Sequence, residues 1–107
     1  MDKKRIQIQI KKIVEQLVKK YRPEKIILFG SAAKEDSKNI NDIDFLIIKN
    51  DVPPLGIDRI GELDRIIDRD EIAVDMIVLQ PKEIEERLTL GDPFIKSIIE
   101  EGKVLYG

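Results

Sequence analysis

The hydrophobic positions of the chain switch between a helical spacing and short continuous runs. Apolar side chains recur every three or four residues over residues 5–20, which predicts an amphipathic helix that ends before Pro23. Short apolar runs over residues 25–29, 43–49 and 72–79 have the length and the β-branched composition of strands. The pattern therefore predicts an opening helix and three core strands.

Helical spacing returns between the second and third predicted strands and again after the third. Residues 56–69 predict a helix, and its apolar positions are Ile57, Ile60, Leu63, Ile66 and Ile67. Pro81 and the pair Asp92-Pro93 each mark a helix start, with Asp92 as the cap, and Gly102 marks a helix end. Residues 104–106 predict a short edge strand. This alternation predicts an α/β (α+β) fold in which helices pack against one small sheet.

The length and the apolar runs bound the class of protein. A chain of 107 residues with 42% hydrophobic and 37% charged residues predicts a single globular domain over residues 1–107. The longest apolar runs span four residues, far short of the roughly 20 that cross a membrane. Since no apolar signal core follows the basic N-terminus, we expect a cytoplasmic location without membrane contact.

The composition also limits the chemistry. The chain contains no cysteine and no histidine, which excludes disulfides, thiol catalysis and an imidazole general base. A metal site must therefore use oxygen ligands, which suit Mg²⁺ or Mn²⁺.

Charge is unevenly distributed along the sequence, although the net charge is only −2. Residues 1–25 carry nine Lys/Arg and three Asp/Glu, whereas residues 26–80 carry six Lys/Arg and twelve Asp/Glu. The basic first segment is interpreted as a solvated helix face, or alternatively as a surface that docks a partner or steers phosphates.

Three carboxylates and a Gly-Ser pair are the candidate chemistry. Gly30-Ser31 ends the first predicted strand, and ten residues later Asp42 and Asp44 flank the start of the second. Because strand side chains alternate between faces, both carboxylates project to the same side. Asp75 lies inside the third predicted strand among apolar neighbours, where an isolated acid costs several kcal/mol unless it is paired or binds metal. Converging carboxylates would bind a divalent cation.

The Gly-Ser pair suits a phosphate. Gly30 would allow close approach of the backbone, Ser31 is expected to cap a short helix whose free N–H groups favour an anion, and Lys34 would add a positive charge. Each feature also has an ordinary structural interpretation. Gly30-Ser31 could be a turn with a capping serine, and the Asp42-Ile43-Asp44 stretch could hold a solvated turn acid. Lys34 could be a surface lysine, and Asp75 could pair with Arg65 or Lys49. The combination, placed at the ends of predicted strands, favours a phosphate and metal site.

These motifs resemble the minimal nucleotidyltransferase family of the DNA polymerase beta superfamily. The matching stretches are Leu28–Lys34, residues 41–47 and residues 73–78. The resemblance implies a polymerase beta palm-like fold with a small mixed sheet, covering essentially the whole chain. It implies Gly30 and Ser31 at the triphosphate of ATP, Asp42 and Asp44 as ligands of two Mg²⁺ ions, and Asp75 as a third ligand or as the base.

The chain departs from the family pattern after the serine. Many members have arginine where Ala32 stands, and Arg-Gly where Lys34-Glu35 stand. Lys34 keeps a positive charge but loses bidentate phosphate binding.

The resemblance also implies a partner. Family members of this size pair with a HEPN-domain ribonuclease toxin and act as its antitoxin, transferring AMP from ATP to a tyrosine hydroxyl of the toxin. The implied function is thus a protein adenylyltransferase and antitoxin within a homo- or hetero-oligomer. Two alternatives stay open: neutralisation of the partner by contact alone, and transfer to a small-molecule acceptor. Missing polymerase subdomains and the negative net charge argue against nucleic acid as partner.

Overall fold

The computed structural model describes residues 2–34, 40, 42–69 and 72–107. Within these residues the fold contains four α-helices and four strands, together with a π-helical segment (Leu17–Tyr21) and a 3-10 turn (Ser31–Ala33). In chain order the regular elements are α1 (Lys3–Gln16), β1 (Lys25–Phe29), β2 (Asp42–Ile48), α2 (Gly56–Ile66), β3 (Ala73–Leu79), α3 (Pro81–Thr89), α4 (Pro93–Glu101) and β4 (Lys103–Tyr106).

The strands form one mixed sheet in the order β3-β2-β1-β4. Strands β2 and β3 are parallel, whereas β1 is antiparallel to both β2 and β4. The register pairs Phe29 with Asp44 and Asp44 with Asp75. Because paired residues project to the same face, these three side chains form one row across the sheet. The predicted small mixed sheet is confirmed.

Helices cover both faces of the sheet. Helices α1 and α2 pack on one face, where Ile13, Phe45 and Leu63 are fully buried. Helices α3 and α4 pack on the other, where Ile84 and Ile95 contact the apolar end of β2. The row of Phe29 and the acids lies on this second face, at the end of β2 that begins with Asp42.

Most predicted elements are present, with bounds that differ by no more than four residues. The predicted helix 5–20 is α1 followed by the π-helical segment, and it ends where Arg22 takes a left-handed conformation with φ 56° before Pro23. The predicted strands begin and end within one residue of β1, β2 and β3, and the short edge strand is β4. The polar loop predicted over residues 36–42 lies outside the described residues except for Ile40 and Asp42.

Helix starts and stops also follow the predicted signals. Asp92 caps α4 by accepting hydrogen bonds from the N–H groups of Phe94 (2.9 Å) and Ile95 (3.3 Å). Pro81 is the first residue of α3, and Gly102 is the C-cap of α4. Among the described helices, none combines the length and apolar character that a membrane crossing needs.

The predicted apolar face of α2 was wrong at its first turn. Helix α2 ends at Ile66, three residues earlier than predicted, and Ile57 is 80% exposed. The side chain that turns inward is Arg59, which is only 4% exposed. The reason is that backbone carbonyl groups and Glu83 surround that position and accept its N–H donors.

Candidate functional site

Three carboxylates meet at the row of side chains that crosses β2 and β3. One oxygen of each of Asp42, Asp44 and Asp75 lies within 4.8 Å of the other two. Strand β2 supplies the first two at alternate positions, and parallel pairing places Asp75 directly beside Asp44. Asp42 and Asp44 are half-buried, whereas Asp75 is exposed. The structure thus brings together all three acids that the sequence singled out.

The negative charges of the cluster act on the ionisation of Asp44. Partial burial, followed by the charges of Asp42 and Asp75 and a hydrogen bond with Asp75, raises the pKa of Asp44 to about 6. Two like charges beside Asp44 disfavour its ionised form. A divalent cation among the oxygens would remove that repulsion, and carboxylates are ligands that Mg²⁺ accepts. The donor set therefore fits an oxygen-ligated divalent cation.

Gly30 lies against the cluster with a backbone conformation that requires glycine. Its φ of 72° and ψ of −158° fall in a region that residues with a side chain avoid. A Cβ atom at this position would collide with the Oδ2 atom of Asp44. The turn thus brings bare backbone next to the carboxylates, where a phosphate can approach closely.

Ser31 does not cap a helix as predicted. The residues after Gly30 form a single 3-10 turn of three residues, with Gly30 as its N-cap and no side-chain cap. The N–H groups of Ala33 and Lys34 donate to the carbonyls of Gly30 and Ser31, each at 3.1 Å. The turn is too short for the dipole of a regular helix, so any anion binding here relies on individual N–H and O–H groups.

Lys34 is exposed and lies immediately after this turn. It shares with Gly30 the lining of a cavity beside the turn. Lys34 also lines a smaller cavity next to α1, so it borders both sides of the turn. Glu35 and Asn41, which belong to the same motif, lie outside the described residues.

The burial argument for Asp75 was wrong, because β3 is an edge strand. Asp75 and Ala73 are both exposed, so the carboxylate carries no large desolvation cost. Among the described residues, neither Arg65 nor Lys49 forms an ion pair with Asp75. Lys49 instead donates to the Tyr21 carbonyl and lies 4.0 Å from the centre of the Tyr21 ring. Asp75 differs from an ordinary surface acid because it lies close to Asp42 and Asp44.

Sequence reasoning missed the contribution of α4 to this region. A cavity of about 600 Å³ lies between the 3-10 turn and α4, and Phe94, Ser97 and Glu101 line it from the helix. Their spacing of three and four residues places them on one helical face, and this was visible in the sequence. The sequence could not indicate that this face meets the Gly30 turn, because that depends on α4 packing on the second face of the sheet.

Comparison with known proteins identifies the family to which the chain is related. Residues 11–107 match the family model of "Polymerase beta, Nucleotidyltransferase". No solved structure matches the chain significantly.

Three relatives from Methanocaldococcus jannaschii are named "Putative protein adenylyltransferase". MJ0604 is 32% identical over 91% of this chain and 94% of its own length. MJ0126 is 30% identical over 86% of this chain and 85% of its own. MJ1217 is 32% identical over 87% of this chain and 90% of its own. The resemblance stated from the motifs is confirmed, and the chain belongs to the polymerase beta nucleotidyltransferase family.

Proposed function

We propose that this protein transfers AMP from ATP to a hydroxyl group of a partner protein in a Mg²⁺-dependent reaction. The observation that carries the proposal is the convergence of Asp42, Asp44 and Asp75 beside the bare backbone of Gly30. Family membership supports the nucleotidyl transfer. The names of the three relatives support a protein as the acceptor and adenylate as the group transferred.

In this proposal the three carboxylates hold the metal, with two Mg²⁺ ions as the family pattern implies. Bound Mg²⁺ supplies Lewis-acid stabilisation of the charge on the α-phosphate and the leaving pyrophosphate. Asp42 and Asp44 sit on one strand and are half-buried, so their positions are fixed by β2. Fixed ligands reduce the reorganisation that transfer of the nucleotidyl group would otherwise require.

The Gly30–Lys34 segment holds the triphosphate in this proposal. Gly30 allows the phosphates to approach the backbone, the Ser31 hydroxyl donates to a phosphate oxygen, and Lys34 contributes a point charge. The segment lies directly beside Asp44, so the α-phosphate can face the acids while the remaining phosphates contact the turn.

Asp75 acts on the acceptor side. The acceptor oxygen bonds to the α-phosphorus, the bond to the bridging oxygen breaks, and pyrophosphate leaves with that electron pair. The hydroxyl proton passes to the oxygen of Asp75 that does not hold the metal and then to solvent. An exposed position on the edge strand β3 lets a hydroxyl reach this carboxylate from outside the sheet.

The proposed partner is a HEPN-domain ribonuclease toxin, which the transfer would neutralise, so the protein would act as an antitoxin. Support comes from the names of the three relatives, which give a protein as the acceptor. The basic α1 offers a surface of opposite charge to an acidic partner.

Mass spectrometry of the neighbouring gene's product, co-expressed with this chain, tests the proposal. We expect a mass gain of one or more AMP groups on a hydroxyl side chain with the wild type and none with Asp44→Asn. Asp51→Asn is the matched control, because Asp51 is exposed and lies outside the cluster. If Asp44→Asn neutralises the partner and the partner gains no mass, the protein inhibits by contact and the proposed transfer is wrong.

A further inference from the structure

The cavity between the 3-10 turn and α4 adjoins the proposed triphosphate site. Gly30 and Lys34 form one side of it, and Phe94, Ser97 and Glu101 of α4 form the other. Its volume of about 600 Å³ falls within the range of pockets that hold nucleotide-sized ligands. Since Gly30 lines both this cavity and the acid cluster, one ligand can extend from the acids into the cavity.

Two aromatic rings form the apolar end of the cavity. Phe29 and Phe94 meet edge to face, with ring centroids 5.7 Å apart and planes at 82°. Phe29 belongs to the row of side chains that contains Asp44, so this end of the cavity lies next to the metal ligands. Phe94 is 48% exposed, which leaves part of its ring available to a flat ligand.

The polar end of the cavity carries a carboxylate held by a neighbour on the same helix. Ser97 Oγ donates to Glu101 Oε2 at 3.2 Å, one helical turn apart. This hydrogen bond does not involve the Oε1 atom of Glu101. A carboxylate accepts hydrogen bonds and repels phosphate, so this end suits an amino group rather than the triphosphate.

We propose that the cavity receives the nucleobase of the triphosphate, with Phe94 against the ring and Glu101 accepting a hydrogen bond from an exocyclic amino group. The inference rests on the proposed transfer of AMP and adds the residues that select adenine. Hypoxanthine has a carbonyl oxygen where adenine has its 6-amino group. Glu101 would repel that oxygen, so the site discriminates against inosine triphosphate.

Binding of ATP and of inosine triphosphate to the full chain, measured by calorimetry with Mg²⁺, tests the inference. We expect the wild type to bind ATP about tenfold more tightly, as one charge-assisted hydrogen bond allows. In Glu101→Ala the two dissociation constants should agree within about twofold, because the group that distinguishes them is gone. Glu100→Ala is the matched control, since Glu100 is exposed, carries the same charge and does not line the cavity.

Phe94→Ala gives a second, independent test. It should weaken both nucleotides by about tenfold and keep their ratio, since stacking does not depend on the exocyclic group. Both variants change exposed side chains, so the fold should persist, which circular dichroism checks.

The outcomes separate this inference from the proposed function. If the wild type and Glu101→Ala prefer ATP over inosine triphosphate by the same factor, the base does not bind at Glu101. If Phe94→Ala binds ATP as tightly as the wild type, the base does not stack on Phe94. Neither result would contradict the proposed transfer of AMP. Absence of Mg²⁺-dependent ATP binding by the wild type would overturn both.

Discussion

The contact between Gly30 and Asp44 decides whether the site can form. Glycine is favoured for two reasons: the positive φ strains any residue that has a side chain, and a Cβ atom here would displace Asp44 Oδ2. The carboxylate cluster therefore depends on a backbone position in the turn after β1, outside the two strands that carry the acids. The sequence predicts Gly30 as the point where backbone would approach a phosphate, and the structure adds that glycine here also leaves room for the Asp44 carboxylate.

Gly30→Ala should destabilise the fold by about 2 kcal/mol and abolish nucleotidyl transfer. The new methyl group would push Asp44 out of the cluster and strain the turn. Urea denaturation and an AMP-transfer assay measure the two effects. Gly56→Ala is the control, because a Cβ there has no neighbour within 4 Å. Full transfer activity in Gly30→Ala would contradict the close packing of the turn against the acids.

Asp44→Asn should stabilise the metal-free protein at neutral pH. The pKa of Asp44 is raised to about 6, so the folded state holds this proton more tightly than the unfolded state. The ionised group therefore costs stability above that pH, and the cost disappears as pH falls below the unfolded value. After allowance for solvent screening we expect a gain of about 1 kcal/mol at about pH 8 and none at about pH 4.

Urea denaturation in EDTA at both pH values measures this difference. Asp51→Asn, at an exposed position outside the cluster, should change stability little at either pH. If Asp44→Asn is no more stable than the wild type at the higher pH, the ionised Asp44 carboxylate does not destabilise the folded protein in solution.

At the scale of elements, Arg59 ties α2 to β3 and α3. It donates to the carbonyls of Pro53 at 2.7 Å and Val78 at 3.0 Å, and it forms a 2.6 Å ion pair with Glu83. Glu83 also accepts from the Gln80 N–H at 2.8 Å in the capping box of α3. Although partial burial opposes it, these bonds hold the pKa of Glu83 below its usual value. One side chain thus satisfies acceptors of three segments.

Arg59→Met should lower the free energy of unfolding by about 3 kcal/mol, because Glu83 and the Val78 carbonyl lose their partner. The midpoint of urea denaturation reports the loss. Arg65→Met, on the exposed side of the same helix, should stay within about 0.5 kcal/mol of the wild type. Equal stability of the two variants would mean that the Arg59 contacts contribute nothing net.

The elements of this chain could be predicted, whereas several interactions between them could not. Spacing and cap residues such as Asp92 and Gly102 are local signals, so helices and strands appeared near their observed bounds. The burial of Arg59 depends on acceptors up to 24 residues away, and the exposure of Asp75 depends on β3 being an edge. Neither relation is encoded in a local pattern, and this is why Ile57 and the burial of Asp75 were predicted wrongly.

At the scale of the whole molecule, the order of the strands in the sheet brings the three acids and the Gly30 turn together. Strand β2 lies between β1 and β3, so the Gly30 turn reaches the acids from one side and Asp75 from the other. The three acids could be predicted from motif spacing because the family pattern fixes them. The α4 face could not, because it depends on which side of the sheet α4 covers.

A crystal structure of the complex with Mg²⁺ and a non-hydrolysable ATP analogue tests the central claim most directly. The account predicts Mg²⁺ coordinated by Asp42, Asp44 and Asp75, with the triphosphate against Gly30 and Ser31. A triphosphate bound away from the Gly30 turn, or bound there with no cation among the three carboxylates at saturating Mg²⁺, would contradict it.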